Sequence, residues 1–246
     1  MTDNPSFLIK PNPEQLIQSA AARLAEYAEQ CVAERGRFSF ALSGGSTPKA
    51  FYELLADEPW RSNIPWKQTI ILFGDERAVP HDDERSNYRM AAHALLHQVG
   101  ILPENIWRLR GEAENLDEAA QEYEVRLNEL DGQIDLNLLG MGPDGHTASL
   151  FPQSPVLTEM QRLCVSTPVA PLEPHVRRLT LTYSAINASR QVWIMVTGKS
   201  KAQRLQQVLE GEHDPHQLPV QGVHPLDGEL LWMLDADAAS GLHLNS

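Results

Sequence analysis

Apolar and polar positions change period several times along the chain, and each change marks an element. From Pro13 to Arg35, Ile17, Ala20, Ala21, Leu24 and Ala28 recur at helical spacing, and Gly36 ends the run. Phe38 to Leu42 then reads as a short buried strand. The turn Ser43-Gly44-Gly45-Ser46 leads into a second helix, with Thr47 as its N-cap, Pro48 in its first turn and Phe51, Leu54 and Leu55 on its inner face. Thr69 to Phe73 is the next strand. It is followed by a long polar loop through Pro80 and Asp83 and a helix from about Ser86 to Leu96. Leu116, Ala119, Ala120, Tyr123, Leu127 and Leu130 mark another amphipathic helix, and Ile134 to Leu139 another strand. Strands near Leu179 to Leu181 and at Val192 to Val196, a helix carrying Leu205, Val208 and Leu209, and a last strand from Leu230 to Leu234 complete the pattern.

Strands alternating with helices predict an α/β fold with a mostly parallel sheet covered by helices. No repeat, low-complexity tract or interdomain linker breaks the pattern, so residues 1–246 are expected to form a single domain. The stretch from Met1 to Pro13 mixes Asp3, Lys10 and three prolines around a short apolar run, which fits neither a signal peptide nor an anchor. No later stretch is apolar enough to span a bilayer, so no membrane partner is expected. Cys31 and Cys164 stand far apart without CxxC spacing and are expected to be buried thiols in a reducing cytoplasm.

Composition changes the picture through charge. The net charge is −13 at pH 7 with no basic block, which argues against nucleic acid as a partner. Such a surface repels anions at long range, so an anionic ligand requires a local cluster of cations. Four polar motifs each follow the carboxyl end of an expected strand: Ser43 to Thr47, Gly74 to Arg77, Gly140 to His146, and Gly198 to Lys201. Ligands of open parallel sheets bind beyond those ends, so the four loops are expected to converge on one rim.

The first motif is either a plain strand-to-helix turn or a phosphate cradle. In the cradle reading, Gly44 and Gly45 let the backbone approach an anion and Ser46 and Thr47 add hydroxyl donors. It lacks the Gly-Lys-Ser/Thr ending of a nucleotide-triphosphate loop. In the second, Asp75 can accept from sugar hydroxyls and Arg77 can fork onto an anion, or the charges can form a surface ion-pair cluster. In the third, His146 on a glycine-rich loop is a candidate general base, with Asp144 two residues earlier to orient its ring, or else a structural cap. No nucleophile-elbow serine or cysteine is present, which favours direct attack by water. The other histidines are read as solvated and without metal-ligand spacing, and neither a metal nor a cofactor is expected. Arg177, Arg178, Lys199 and Lys201 supply cations near two further strands, or are simply solvated.

Together these segments resemble the 6-phosphogluconolactonase family over nearly the whole chain. The likeness rests on Leu42 to Pro48, on Gly74 to Arg77 continuing to Ser86-Asn87-Tyr88, on Gly140 to Pro152, and on Arg178-Leu179-Thr180 with Gly198 to Lys201. His224-Pro225, Trp232 and Asp235 also fit. The resemblance implies a three-layer α/β sandwich with a Rossmann-like sheet, similar to glucosamine-6-phosphate deaminases and more distantly to ribose-5-phosphate isomerases. It implies a phosphorylated sugar lactone as the small-molecule partner and leaves protein partners open. The implied reaction is opening of 6-phospho-D-glucono-1,5-lactone by water to 6-phospho-D-gluconate, the second step of the oxidative pentose phosphate pathway.

By the same resemblance His146 is the base, and Asp75, Arg77, Arg178 and Lys201 line the sugar-phosphate pocket, the last two holding phosphate. Deaminases of this fold carry a glutamate five residues after the loop histidine, where this chain has Phe151, and a tyrosine in place of Arg77. A deaminase or isomerase, and a non-catalytic sugar-phosphate sensor, are the competing readings. Asp75 and Asp144 can exchange roles as hydroxyl binder and histidine orienter. The oxyanion donors are either backbone N–H groups of a glycine loop or Arg77. The loop from His81 to Arg85 is a candidate cover for the substrate.

Overall fold

The computed structural model describes residues 6–243, so the reading of Met1 to Pro5 lies outside the described residues. In chain order the elements are β1 (Ser6–Lys10), α1 (Pro13–Arg35), β2 (Phe38–Leu42), α2 (Ser46–Leu55), α3 (Trp60–Asn63), β3 (Thr69–Phe73), β4 (Asp75–Arg77) and α4 (Asn87–Ala91). There follow α5 (Leu116–Asn128), β5 (Leu136–Leu139), β6 (Cys164–Ser166), β7 (Arg178–Leu181), α6 (Tyr183–Asn187), β8 (Gln191–Val196), α7 (Ala202–Glu210), β9 (Glu229–Asp235) and α8 (Ala236–Ala239).

Six strands form one sheet in the order β1-β9-β8-β5-β2-β3, with every pairing parallel. β2, β3 and β5 are buried along their whole length, as strands covered on both faces must be. α1 packs on β1, β2 and β9. Its apolar face of Leu16, Ala20, Ala21, Leu24 and Ala28 is buried, and Asn12 caps its start by accepting from the N–H of Gln15 at 2.9 Å. From β2 the chain moves outward to β3, whereas from β5 it moves the other way to β8. The sheet therefore has its switch point between β2 and β5, where a crevice opens beyond the strand ends.

A second, antiparallel sheet in the order β4-β7-β6 corrects two sequence expectations. Gly74 to Arg77 reads as a polar loop, yet Asp75, Glu76 and Arg77 pair with Thr180, Leu179 and Arg178. Leu179 to Leu181 is a strand as expected, but in this small sheet. The expected helix from Ser86 to Leu96 is a single α-turn followed by a π-helical turn over Ala92–Leu96, closed by His97 N–H onto the Ala92 carbonyl at 3.0 Å. β1 and β6 are additional strands, short and at sheet edges.

Two buried tyrosines tie off the strands where the chain leaves the large sheet. The Tyr52 hydroxyl accepts from Ser43 N–H at 2.8 Å and donates to the Ser43 carbonyl at 2.9 Å. Tyr123, on α5, does the same for Phe73 at 2.8 and 3.2 Å. Burial raises both phenols well above the ordinary tyrosine range, so both stay neutral and serve as donor and acceptor together. At the opposite end of the sheet the buried Asp135 carboxylate accepts from the N–H and hydroxyl of Ser39, both at 2.8 Å, and lies 3.1 Å from Arg35 and 3.4 Å from Arg190.

Replacing Asp135 strands the Ser39 N–H without an acceptor. Asp135→Ala is expected to cost about 1–3 kcal/mol in urea unfolding, while leaving the crevice at the other end of the sheet in place.

Candidate active site

The rim loops after β2, β3 and β5 enclose a cavity of ≈ 190 Å³. It is lined by Ser43, Gly44 and Gly45 from the first loop, by Asp75, Arg77 and Arg178 from the small sheet, and by Gly140 to Gly142 and His146 to Ala148. Residues that are far apart in sequence thus meet at the switch point.

His146 is held from three sides. Its Nδ1 lies 2.6 Å from Asp144 Oδ1, and the same oxygen accepts the His146 backbone N–H at 3.1 Å. Its ring packs on Phe151 with centroids 4.5 Å apart. The main chain of Gly142 lies so close beneath the imidazole that a Cβ there would fall on the ring. Asp144 as an ionised carboxylate only accepts, so Nδ1 carries the hydrogen and Nε2 is the nitrogen left to take a proton. Burial alone would raise the Asp144 carboxyl. The hydrogen bond and charge of His146 outweigh that and hold it below the ordinary carboxylate range.

Asp75 plays a different part. One oxygen accepts from Asn87 Nδ2 at 3.0 Å, the other from the Ser149 hydroxyl at 2.6 Å, and Arg178 Nη1 stands 3.9 Å away. Among the described residues it makes no hydrogen bond to His146, whose ring bonds Asp144 instead. Arg178 is only 4 % exposed. Its Nη2 donates to the Pro174 carbonyl at 3.1 Å, and its guanidinium carbon lies 5.8 Å from the Phe151 ring. Burial lowers its pKa, which Asp75 partly counters. Arg77 donates through Nη1 to the Arg85 carbonyl at 2.5 Å. The Nε atoms of Arg77 and Arg178 are buried and have no partner among the described residues. Two guanidinium edges with donors to spare can receive an anion.

The remaining candidates are placed less directly. Lys201 is not in the cavity wall; its ammonium donates to the Met141 carbonyl at 2.8 Å, and burial lowers its pKa against the pull of Asp144. That bond ties it to the loop that carries His146. Gly198, one turn earlier, is fixed by its N–H onto buried Asp235 at 3.0 Å. Thr47 is not the N-cap of α2; Gly45 occupies that position, and the Thr47 hydroxyl is engaged with that of Thr197 at 2.7 Å. Ser46 is exposed and, like Thr47, lies outside the cavity wall.

Sequence reading missed Asn87 and Ser149, which hold Asp75, and Glu76, which organises the loop above it. Their signal is weak, since each is an ordinary polar residue until the fold buries it. The histidine reading also overlooks a pair: His93 and His97 stand four apart, with rings 5.8 Å from each other. Among the described residues no three histidine, cysteine or acidic side chains gather in a way that could hold a metal ion. No described helix is long and apolar enough to cross a membrane.

A profile of the family described as glucosamine-6-phosphate isomerases/6-phosphogluconolactonase matches residues 11–232. A 6-phosphogluconolactonase of Synechocystis is 40% identical over 238 residues, covering 94% of this chain and 95% of that one. The solved 6-phosphogluconolactonase of Trypanosoma cruzi superposes with a TM-score of 0.87 at 30% identity, covering 99% and 98% of the two chains. A monomeric glucosamine-6-phosphate deaminase superposes at 0.84 over 96% of this chain and 100% of its own; at 23% identity it shows the shared fold alone.

Because the Asp144 carboxyl is depressed in the folded chain, its ionised form stabilises the fold above the ordinary carboxylate range. That contribution is lost as pH falls through the lowered value. In urea unfolding, the advantage of the wild type over Asp144→Asn is therefore expected to be full near neutrality and to shrink in acid. A gap that stays constant with pH would contradict the assignment.

Proposed function

The chain belongs to the glucosamine-6-phosphate isomerase/6-phosphogluconolactonase family, and on that premise we propose that it hydrolyses 6-phospho-D-glucono-1,5-lactone to 6-phospho-D-gluconate in the oxidative pentose phosphate pathway. The observation that carries this reading is the oriented His146–Asp144 pair in one cavity with Arg77 and Arg178. The Phe151 ring lies near both the base and the cation, close enough that one hexose phosphate spans the two.

His146 Nε2 takes a proton from a water molecule as the water oxygen bonds to the lactone carbon C1. The carbonyl electrons move onto its oxygen, giving a tetrahedral oxyanion. Arg77 and the backbone N–H groups of Gly44 and Gly45, all at the cavity wall, are the donors for that charge. When the carbonyl re-forms, the bond from C1 to the ring oxygen breaks. The imidazolium returns its proton to that oxygen, which becomes a hydroxyl, and the new carboxylic acid ionises into solvent. Asp144 holds the ring and stabilises the imidazolium throughout. Arg178 holds the phosphate, whose binding energy positions the distant reacting carbon, and Lys201 braces the His146 loop from outside the cavity wall through the Met141 carbonyl. Asp75 braces Arg178 and faces the sugar hydroxyls.

Deamination by the same fold is disfavoured at one position. Phe151 packs on the histidine ring where the deaminases carry a glutamate, so no carboxylate completes a ring-opening relay there. A cytoplasmic setting suits the two free, buried thiols of Cys31 and Cys164.

Freshly prepared lactone, coupled to phosphogluconate dehydrogenase, tests the reaction against the spontaneous background. His146→Ala is expected to lose on the order of 10²–10⁴-fold in kcat, the range typical of a removed general base, with KM nearly unchanged. Turnover equal to background in the wild type, or a fully active folded His146→Ala, would refute the reading. Arg178→Ala is expected to raise KM for the phosphorylated lactone at least tenfold, the cost of one charge-assisted hydrogen bond.

A further inference from the structure

We propose that Glu76 is a positioning residue that sets the substrate-binding wall of the site, an inference that rests on the lactone-hydrolase reading above. Glu76 does not line the cavity, and among the described residues it forms no ion pair, yet it is buried to 3 % exposure. A carboxylate placed there without a cation carries a desolvation cost, which burial registers by raising its pKa against four opposing hydrogen bonds. What it gains is acceptor capacity. Oε1 accepts from the N–H groups of Arg77 at 2.7 Å and Asn87 at 2.8 Å; Oε2 accepts from the Ser86 hydroxyl at 2.9 Å and the Tyr88 N–H at 2.8 Å. No neutral side chain offers two oxygens to four donors.

These four bonds fold the segment 86–88 back over β4, and the bound segment builds the wall. Asn87 Nδ2 donates to the Asp75 carboxylate and to the Asp75 carbonyl, both at 3.0 Å. The Asn87 side chain also fills the space beside Gly44, so closely that a Cβ on Gly44 would overlap it. The return of the loop brings the Arg85 carbonyl onto the Arg77 guanidinium, fixing which edge of it faces the cavity. Gly44, Asp75 and Arg77 thus take their positions from one carboxylate that the substrate does not reach. The His146–Asp144 pair sits on a different loop, which meets this clasp where the Ser149 hydroxyl donates to Asp75. Substrate wall and proton-transfer pair are therefore held by different hydrogen bonds, the first from Glu76 and the second between His146 and Asp144, so damage to the clasp is expected to leave the His146–Asp144 bond in place.

The experiment measures steady-state lactone hydrolysis by the full-length chain and its Glu76→Gln, Glu76→Asp and Ser86→Ala variants, normalised to the folded fraction seen by circular dichroism. Glu76→Gln turns one acceptor into a donor aimed at the Tyr88 N–H, and is expected to raise KM about tenfold or more, the effect of losing one or two hydrogen bonds. Its kcat is expected to fall as well, because Arg77 and Gly44 also serve the oxyanion, while the pH profile of kcat, set by the His146–Asp144 pair, is expected to keep its wild-type shape. Ser86→Ala should shift KM in the same direction by less. Glu76→Asp, which keeps the carboxylate, should recover part of the loss and carries the test if the glutamine variant fails to fold. An unchanged KM, a fall in kcat at constant KM, or a loss that disappears on normalisation would each overturn the proposal. If the wild type itself shows no turnover, the reading of the reaction fails first. If it turns over and the variants keep its KM, only the role of Glu76 fails.

Discussion

A polar group taken out of water must find a partner, and this constraint decides what each side chain at the strand ends does. Where a parallel strand stops, its last backbone groups have no ladder to join. Tyr52 and Tyr123 answer for two of the strand ends, each with a single hydroxyl that both gives and receives. Glu76 answers for the segment above β4, and Asp235 for the start of the Gly198 turn. With so much of the rim satisfied, the groups that are not satisfied stand out. The Nε atoms of Arg77 and Arg178, residues that line the same cavity as His146, are buried and have no partner among the described residues.

The same constraint reconciles the chain's charge with its ligand. With 33 acidic against 20 basic residues, the surface field works against a phosphate ester at a distance. Attraction has to arise at short range, and burial supplies it. In a low-dielectric pocket two guanidinium groups act far more strongly on an anion than they would on the surface. The cost appears in the depressed pKa of Arg178, and Asp75, Ser149 and Asn87 contain it by holding a carboxylate in place behind that arginine.

What could be read from the sequence follows from where side chains point. β2 and β3 are legible to the residue because strands buried on both faces leave nearly unbroken apolar runs. α1 is equally clear, since its apolar stripe runs between a capping asparagine and a glycine. β4 is illegible for the opposite reason: three consecutive charged residues form a strand only because Asn87, Ser149 and Arg178 satisfy Asp75, and the 86–88 segment satisfies Glu76, from elsewhere in the chain. The His146–Asp144 pair is local, two residues apart, and so could be anticipated. Thr47 misleads because a threonine ahead of a proline is a good N-cap signal, but its hydroxyl finds Thr197, far along the chain. Lys201 shows the same limit, as its placement behind the Met141 carbonyl depends on how α7 meets the β5 loop.

The pairing of β4 with β7 carries a consequence for how the molecule matures. Arg77 and Arg178 are opposite partners in that ladder, yet they come from halves of the chain separated by α5, β5 and the long segment beyond it. Contacts of such sequence separation form late, after local helices and neighbouring strands have condensed. A chain emerging from the ribosome could therefore complete much of its N-terminal sheet and already display Asp75 and His146, while its cationic pocket did not yet exist. Catalytic competence should arrive abruptly with the docking of the last third of the polypeptide, and not grow in proportion to the structure already formed.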